Sequence, residues 1–203
     1  MSKILGIIDN GMGNLFSLEN SMKYLNQKYI ISSNPKKLKR CYKLILPGVG
    51  AFKKAMSNLK KKKLDQLIYK HVENEKKILG ICLGMQLLGS TSFEESSTKG
   101  LNLNSLVYKP FVEKNKKKFH IGYNQVKFSN KSLLFKNIKQ DSDFYFVHGY
   151  CAIQNKNNDI YGLSKFLKRF VASYESKNIF GVQFHPEKSQ HNGLILLKNF
   201  LNL

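Results

Sequence analysis

Short apolar runs alternate with amphipathic stretches through the first half of the chain. Ile4 to Ile8 has the length of a strand and ends at Asp9; the stretch beyond it places Leu15, Leu18, Met22 and Leu25 on one helical face. Between them lies the glycine turn Asn10-Gly11-Met12-Gly13-Asn14. It lacks the third glycine of a dinucleotide fingerprint and the GK[ST] of a phosphate loop, so it reads as a tight turn near a functional edge. Tyr29 to Ser32 and Lys43 to Leu46 predict a second and third strand with a break at Asn34-Pro35. Helical spacing follows from about Phe52 to Leu59 and from Leu64 to Glu73. Ile78, Leu79 and Ile81 then form a buried strand that runs into Cys82 and a helix opening with Leu83, Gly84, Met85 and Gln86. Strands alternating with helices predict a mostly parallel sheet covered on both faces, with ligands at the carboxyl ends of its strands.

The pattern changes after Ser105. SLVY, FHIGYNQVKF, FYFVHGY and RFVASY are short and rich in β-branched and aromatic residues, which predicts an antiparallel or mixed sheet extension. Gly162 to Leu167 is too weak to assign. A last strand, Ile179 to Phe184, precedes a closing amphipathic helix from about Gly193 to Leu201, with Leu194, Leu197 and Leu201 as core positions. No repeat or Pro/Ser-rich linker divides the halves, so residues 1–203 are expected to form one domain.

Candidate chemistry gathers where the pattern places strand ends. A lone cysteine in an apolar strand is more often structural than reactive, but Cys82 falls on a strand-to-helix turn between Gly80 and Gly84. A helix N-terminus favours a thiolate, the glycines admit close approach, and the Leu83 N–H is a free donor for an oxyanion. Gln86, four residues on, faces the same pocket. The strand ending at Leu46 runs into PGVGAF, whose glycines can turn a backbone N–H of Val49 or Gly50 toward a neighbouring strand's nucleophile as a second oxyanion donor. In His185-Pro186-Glu187 an extended backbone would place His185 and Glu187 on one side, as a base and the carboxylate that orients it. His71, His120, His148 and His191 have no carboxylate so placed.

Composition narrows the class further. Cys41, Cys82 and Cys151 are widely separated and odd in number, so neither a disulfide framework nor a CxxC zinc site is readable, and a reducing, cytoplasmic setting is expected. MSKILGIIDN contains a short apolar run that reads as a first strand, not a secretory leader, and no later run reaches membrane-spanning length. The formal net charge of +21 raises a nucleic-acid footprint. Of 34 basic residues, however, only Arg40 and Arg169 are arginines, and the densest lysine runs are not interleaved with stacking aromatics. A solvated lysine surface is the simpler reading, and no nucleic-acid partner is expected.

Together GICLGMQL, PGVGAF and GVQFHPEKS resemble the class I (triad) glutamine amidotransferases. Over its full length, from GMGNL to the helix after HPEKSQ, the chain is similar to the glutaminase subunits of imidazole glycerol phosphate synthases. The resemblance implies a flavodoxin-like α/β fold with Cys82 as nucleophile, His185 as general base and acid, and Glu187 as its orienting partner. It places Gln86, Leu83 and the loop residues Gly48, Val49 and Gly50 around glutamine and its oxyanion. It also implies a heterodimer with a (β/α)₈ cyclase subunit that receives the ammonia, making imidazole glycerol phosphate and aminoimidazole carboxamide ribotide in histidine biosynthesis, with no metal or organic cofactor.

Three departures from the family pattern stand out. VHGY (Val147 to Tyr150) replaces VHSY, FHIGYN (Phe119 to Asn124) replaces PHMGWN, and Asn10 replaces a tyrosine. They leave open a related glutaminase that supplies ammonia for amination of a surface-sugar precursor. From another class, a catalytically silent basic binding module is the remaining alternative.

Overall fold

The chain runs β1 (Leu5–Ile8), α1 (Leu15–Tyr24), β2 (Tyr29–Ser32), α2 (Pro35–Leu38), β3 (Lys43–Leu46), α3 (Phe52–Lys61), α4 (Leu64–Glu73), β4 (Ile78–Ile81) and α5 (Leu83–Leu88). There follow β5 (Thr91–Ser92), β6 (Thr98–Lys99), β7 (Val107–Glu113), β8 (Lys116–Lys118), β9 (His120–Phe128), β10 (Ser142–His148) and β11 (Tyr150–Ala152). The chain ends with β12 (Ile160–Phe166), β13 (Lys168–Ser176), β14 (Ile179–Val182), a 3₁₀ turn (Pro186–Lys188) and α6 (Gln190–Asn202). The computed structural model describes residues 3–13, 15–153 and 160–203; Asn14 of the glycine turn lies outside them.

One sheet of nine strands organises these elements in the order β10-β9-β12-β13-β14-β4-β3-β1-β2. From β14 to β2 every neighbouring pair is parallel; from β13 outward every pair is antiparallel. Of the second-half segments, β9, β10, β12 and β13 thus form the antiparallel extension of this same sheet, whereas β7 and β11 belong to a second one. The strands β1, β3, β4 and β14 are buried at every position, as apolar strands covered on both faces must be. One face packs on α3 and α4 through Phe52, Met56, Leu59, Leu64 and Ile68; the other packs on α1 and α6 through Leu18, Met22, Leu196, Leu197 and Phe200. A smaller sheet, β11-β7-β5-β6 with β8 beside β7, flanks the extension. Among the described residues no helix is long and apolar enough to cross a membrane.

Several local expectations are corrected. The Asn34-Pro35 break is a one-turn helix, α2: Asn34 caps it by accepting from the Lys36 N–H, and Pro35 occupies a first-turn position where a missing N–H costs nothing. Residues 162–167 fall largely within β12, which carries a bulge between Gly162 and Leu163. Glycine and alternating polar residues obscure its pattern, while pairing with both β13 and β9 stabilises it. The closing helix starts at Gln190, earlier than expected, and buries Leu196, Leu197 and Phe200, whereas Leu194 and Leu201 are only half-buried.

Two glycines set how tightly α5 sits on the sheet. A Cβ on Gly84 would lie 1.7 Å from the Leu46 carbonyl oxygen, and one on Gly80 would lie 2.6 Å from the Met85 nitrogen. Helix backbone touches strand backbone here, and no other residue permits that approach. The start of α5 is thereby fixed against the ends of β3 and β4.

Candidate active site

Cys82 stands at the junction of β4 and α5 with φ 53° and ψ −111°, a conformation unusual for a residue with a Cβ. The elbow is held at both ends, since Cys82 N–H donates to the Val182 carbonyl at 2.8 Å and the Cys82 carbonyl accepts from Gln86 N–H at 3.2 Å. β14 lies parallel to β4 with Val182 opposite Ile81, so the segment that continues to His185 emerges beside the cysteine. The His185 N–H is anchored by the Tyr145 carbonyl at 2.8 Å, and its carbonyl accepts from the Ser189 hydroxyl at 2.6 Å.

His185 Nδ1 and Glu187 Oε1 are 2.7 Å apart, with side chains 4% and 5% exposed. The backbone route differs from the expected extended pair: His185 is extended, but Glu187 lies in the 3₁₀ turn that Pro186 opens. Burial alone would lower the imidazole pKa. The Cys82 sulfur and then the Glu187 carboxylate outweigh it and raise the pKa to about 10. Nε2 makes no hydrogen bond of ordinary geometry, although Cys82 is the strongest of the groups that hold the proton on this ring. The pair therefore favours the protonated imidazole.

β3 neighbours β4, as the oxyanion reading requires, and Gly48 packs against Leu83, where a Cβ would come within 3.2 Å of the leucine Cβ. Val49, however, does not offer its N–H to the site in this conformation: it donates to the Met12 carbonyl at 2.5 Å. Asn10 builds that contact. Its Oδ1 accepts from Met12 N–H at 2.9 Å, its Nδ2 lies 3.5 Å from the Pro47 carbonyl, and its own carbonyl is held by Asn58 at 2.9 Å. Gly50, at φ +95°, has the backbone freedom a loop rearrangement needs. Glu94 caps the start of α3 by accepting from Phe52 N–H at 2.5 Å, which ties the far end of PGVGAF to the loop after β5.

Gln86 is buried and committed to protein partners, with its Nε2 3.0 Å from Gln183 Oε1 and 3.5 Å from the Tyr150 carbonyl. Gln183 in turn places its Nε2 3.7 Å from Cys82 Sγ. This residue was missed in the sequence. The available signal was a lone polar side chain between apolar Val182 and Phe184 immediately before His185.

The other buried histidines are held by partners of their own, although the His185 charge reaches His148. His120 stacks between Phe146 and Phe166 at 4.7 and 4.6 Å, and its Nδ1 is 3.1 Å from His148 Nε2. Burial lowers their pKa values to about 4 and about 3. His71 is buried beside the Lys77 carbonyl, and burial takes it to about 4. Cys41 and Cys151 are buried free thiols. Among the described residues no group of three His, Cys, Asp or Glu side chains is placed to hold a metal ion.

Two of the departures from the expected family pattern lie side by side. A Cβ at Gly149 would lie 2.8 Å from the Phe119 ring, so the small residue at 149 leaves room for the large one at 119.

A cysteine at positive φ between strand and helix, with a buried His-Glu pair just beyond the adjacent parallel strand, is the arrangement that a thiol nucleophile with a base and its orienting carboxylate requires. The chain belongs to the class I glutamine amidotransferases, the family model described as Glutamine amidotransferase class-I matching residues 6–203. It is 42% identical over 200 residues to "Imidazole glycerol phosphate synthase subunit HisH 2" of Methanococcus maripaludis, covering 98% of each chain. It is 41% identical over 196 residues to "Imidazole glycerol phosphate synthase subunit HisH" of Moorella thermoacetica, covering 97% of this chain and 93% of that one. Among solved structures, "Structure of PurLQS from Thermotoga maritima" matches with a TM-score of 0.78 at 18% identity, covering 100% of this chain and 99% of that one. This last likeness is one of fold alone.

Proposed function

We propose that this chain is the glutaminase subunit of an imidazole glycerol phosphate synthase, releasing ammonia from glutamine for a cyclase subunit in histidine biosynthesis. The observation that carries the reading is the Cys82, His185 and Glu187 constellation at the ends of adjacent parallel strands, in a chain about 40% identical throughout to subunits of that name.

In this reading the Cys82 sulfur attacks the side-chain amide carbon of glutamine, and the carbonyl electrons move onto oxygen. Leu83 N–H, the first free donor of α5, meets that oxyanion. His185 protonates the departing nitrogen, ammonia leaves, and a glutamyl thioester remains. Water then attacks the thioester while His185 takes its proton, and glutamate is released. Glu187 keeps the ring oriented through Nδ1. With Val49 N–H spent on Met12, the hole has one preset backbone donor. A second becomes available when the PGVG loop lets go of Met12, so turnover responds to whatever moves that loop.

An uncovered apolar strip on the extension supports a partner. Phe119, Ile121 and Tyr123 are 64%, 67% and 50% exposed, and Val147 stands opposite Ile121 in the β9–β10 register. This ribbon backs directly onto the triad, since the Tyr145 carbonyl anchors His185 and the Val147 carbonyl lies 3.8 Å from Cys82 Sγ. The test is glutamate release by the purified chain, alone and with the cyclase subunit and its ribonucleotide ligand. Stimulation by that pair, lost in Cys82→Ala, is expected. Hydrolysis with neither stimulation nor binding would contradict the assignment and point to another ammonia acceptor, such as a sugar precursor.

A further inference from the structure

The Cys82 sulfur has two polar neighbours besides His185, and they pull in opposite directions. The Val147 carbonyl, at 3.8 Å, can only accept and so favours the protonated thiol. The Gln183 carboxamide, at 3.7 Å, presents its nitrogen and so favours sulfur that carries negative charge. Gln183 is fully buried, and its backbone N–H is fixed to the Ala172 carbonyl at 2.8 Å, so the side chain starts from a rigid point.

An amide could face the sulfur with either end, and a second glutamine decides which. The Gln86 NH₂ reaches Gln183 Oε1 at 3.0 Å and the Tyr150 carbonyl at 3.5 Å, two acceptors for its two protons. With its oxygen occupied by Gln86, Gln183 can only turn its NH₂ toward Cys82. Tyr150 carbonyl, Gln86, Gln183 and Cys82 thus form one directed chain through the protein interior.

We propose that Gln183 is a further catalytic residue of this site, donating a hydrogen bond that stabilises Cys82 as a thiolate, and that Gln86 is the positioning residue that sets the direction of that bond. The inference rests on Cys82 being the nucleophile. The donor serves twice: it holds the attacking thiolate, and it receives the sulfur again when the thioester C–S bond breaks and its electron pair returns to Sγ. The titratable group facing the sulfur is His185 on the segment after β14, with Glu187 behind it; His148 at the end of β10 lies close enough for the His185 charge to help lower its pKa. Gln183 adds a neutral donor to this set, with no proton of its own to titrate.

The experiment is the rate of Cys82 alkylation by iodoacetamide as a function of pH, read by mass on the Cys82 peptide, in wild type, Gln183→Leu, Gln183→Met and Gln86→Leu. Loss of one charge-assisted hydrogen bond is expected to move the half-maximal pH of Gln183→Leu up by about one unit, roughly a tenfold slower reaction below the midpoint. Gln183→Met, of similar length and without a hydrogen-bond donor, should move it as far. Gln86→Leu should move it less, because the Gln183 amide is then free to turn. A packing role alone would leave the midpoint in place. If Gln183→Leu does not fold, Gln183→Met decides. A folded variant at position 183 with the wild-type midpoint overturns the proposal, while glutamate release that survives Cys82→Ala overturns the underlying site assignment instead.

Discussion

Replacing Gly84 by alanine tests whether backbone contact between α5 and β3 sets the position of Cys82. The added methyl would sit 1.7 Å from the Leu46 carbonyl oxygen, where ordinary van der Waals contact begins at 3.4 Å. Neither side can yield cheaply. The Leu46 carbonyl belongs to a fully buried strand, and on the helix side a Cβ on Gly80 already has only 2.6 Å to the Met85 nitrogen. Overpacking of this kind costs about 1–3 kcal/mol where side chains can adjust, and backbone on both sides puts Gly84→Ala at or above about 3 kcal/mol. Because Cys82 is the residue from which α5 starts, a helix that retreats by about 1 Å carries the sulfur away from His185 and should lower turnover roughly 10²-fold. Urea unfolding measures the first quantity and glutamate release the second. Gly13→Ala is the control for stability, since its methyl would meet Leu15 at 3.4 Å. A Gly84→Ala protein within about 0.5 kcal/mol of wild type and with unchanged turnover would refute the close-contact reasoning.

Further outcomes follow from named groups. His185→Ala should reduce glutamate release roughly 10²–10⁴-fold, the usual span of general acid–base catalysis; Glu187→Gln should reduce it less, because the amide oxygen can still accept from Nδ1. Equal losses would deny Glu187 its orienting role. Stability should peak near pH 6.5. His71, His120 and His148 have folded pKa values lowered by burial to about 4, 4 and 3, so the unfolded chain takes up protons the native state refuses and stability falls as pH drops below 6.5. His185 has the opposite sign: raised to about 10, its contribution is complete below 6.5 and is lost as pH climbs toward 10. A urea midpoint that stays flat from about pH 4.5 to 9 would contradict both limbs. Lys43→Met should cost about 1–3 kcal/mol and speed amide exchange at the end of α6, because Lys43 Nζ donates to the Phe200 and Leu201 carbonyls at 2.8 and 2.7 Å. Unchanged exchange there would remove Lys43 as the cap.

The proposed triad could be picked out of the sequence because its members sit where the chain's pattern changes, Cys82 between strand and helix and His185 after the last strand. Their union needed only that β4 and β14 be adjacent. What sequence could not reveal are contacts between distant segments. The Val49 N–H is withheld by Met12, a residue from another loop that Asn10 holds in place. Gly149 makes sense only beside Phe119, across the β9–β10 ribbon. Gln183 reads as an anomaly inside an apolar strand until Gln86 and Cys82 are seen on either side of it. Local misreadings have local causes: α2 is one turn long, and β12 carries Gly162 at a bulge, so neither leaves a periodic signal.

The most direct test of Cys82 as the nucleophile is covalent capture with a glutamine analogue bearing a diazoketone in place of the side-chain amide, followed by peptide mass analysis. One adduct per chain is predicted, on the peptide containing Cys82, blocked by excess glutamine and accompanied by loss of glutamate release. An adduct on Cys41 or Cys151, or full activity in a chain already labelled at Cys82, would contradict it.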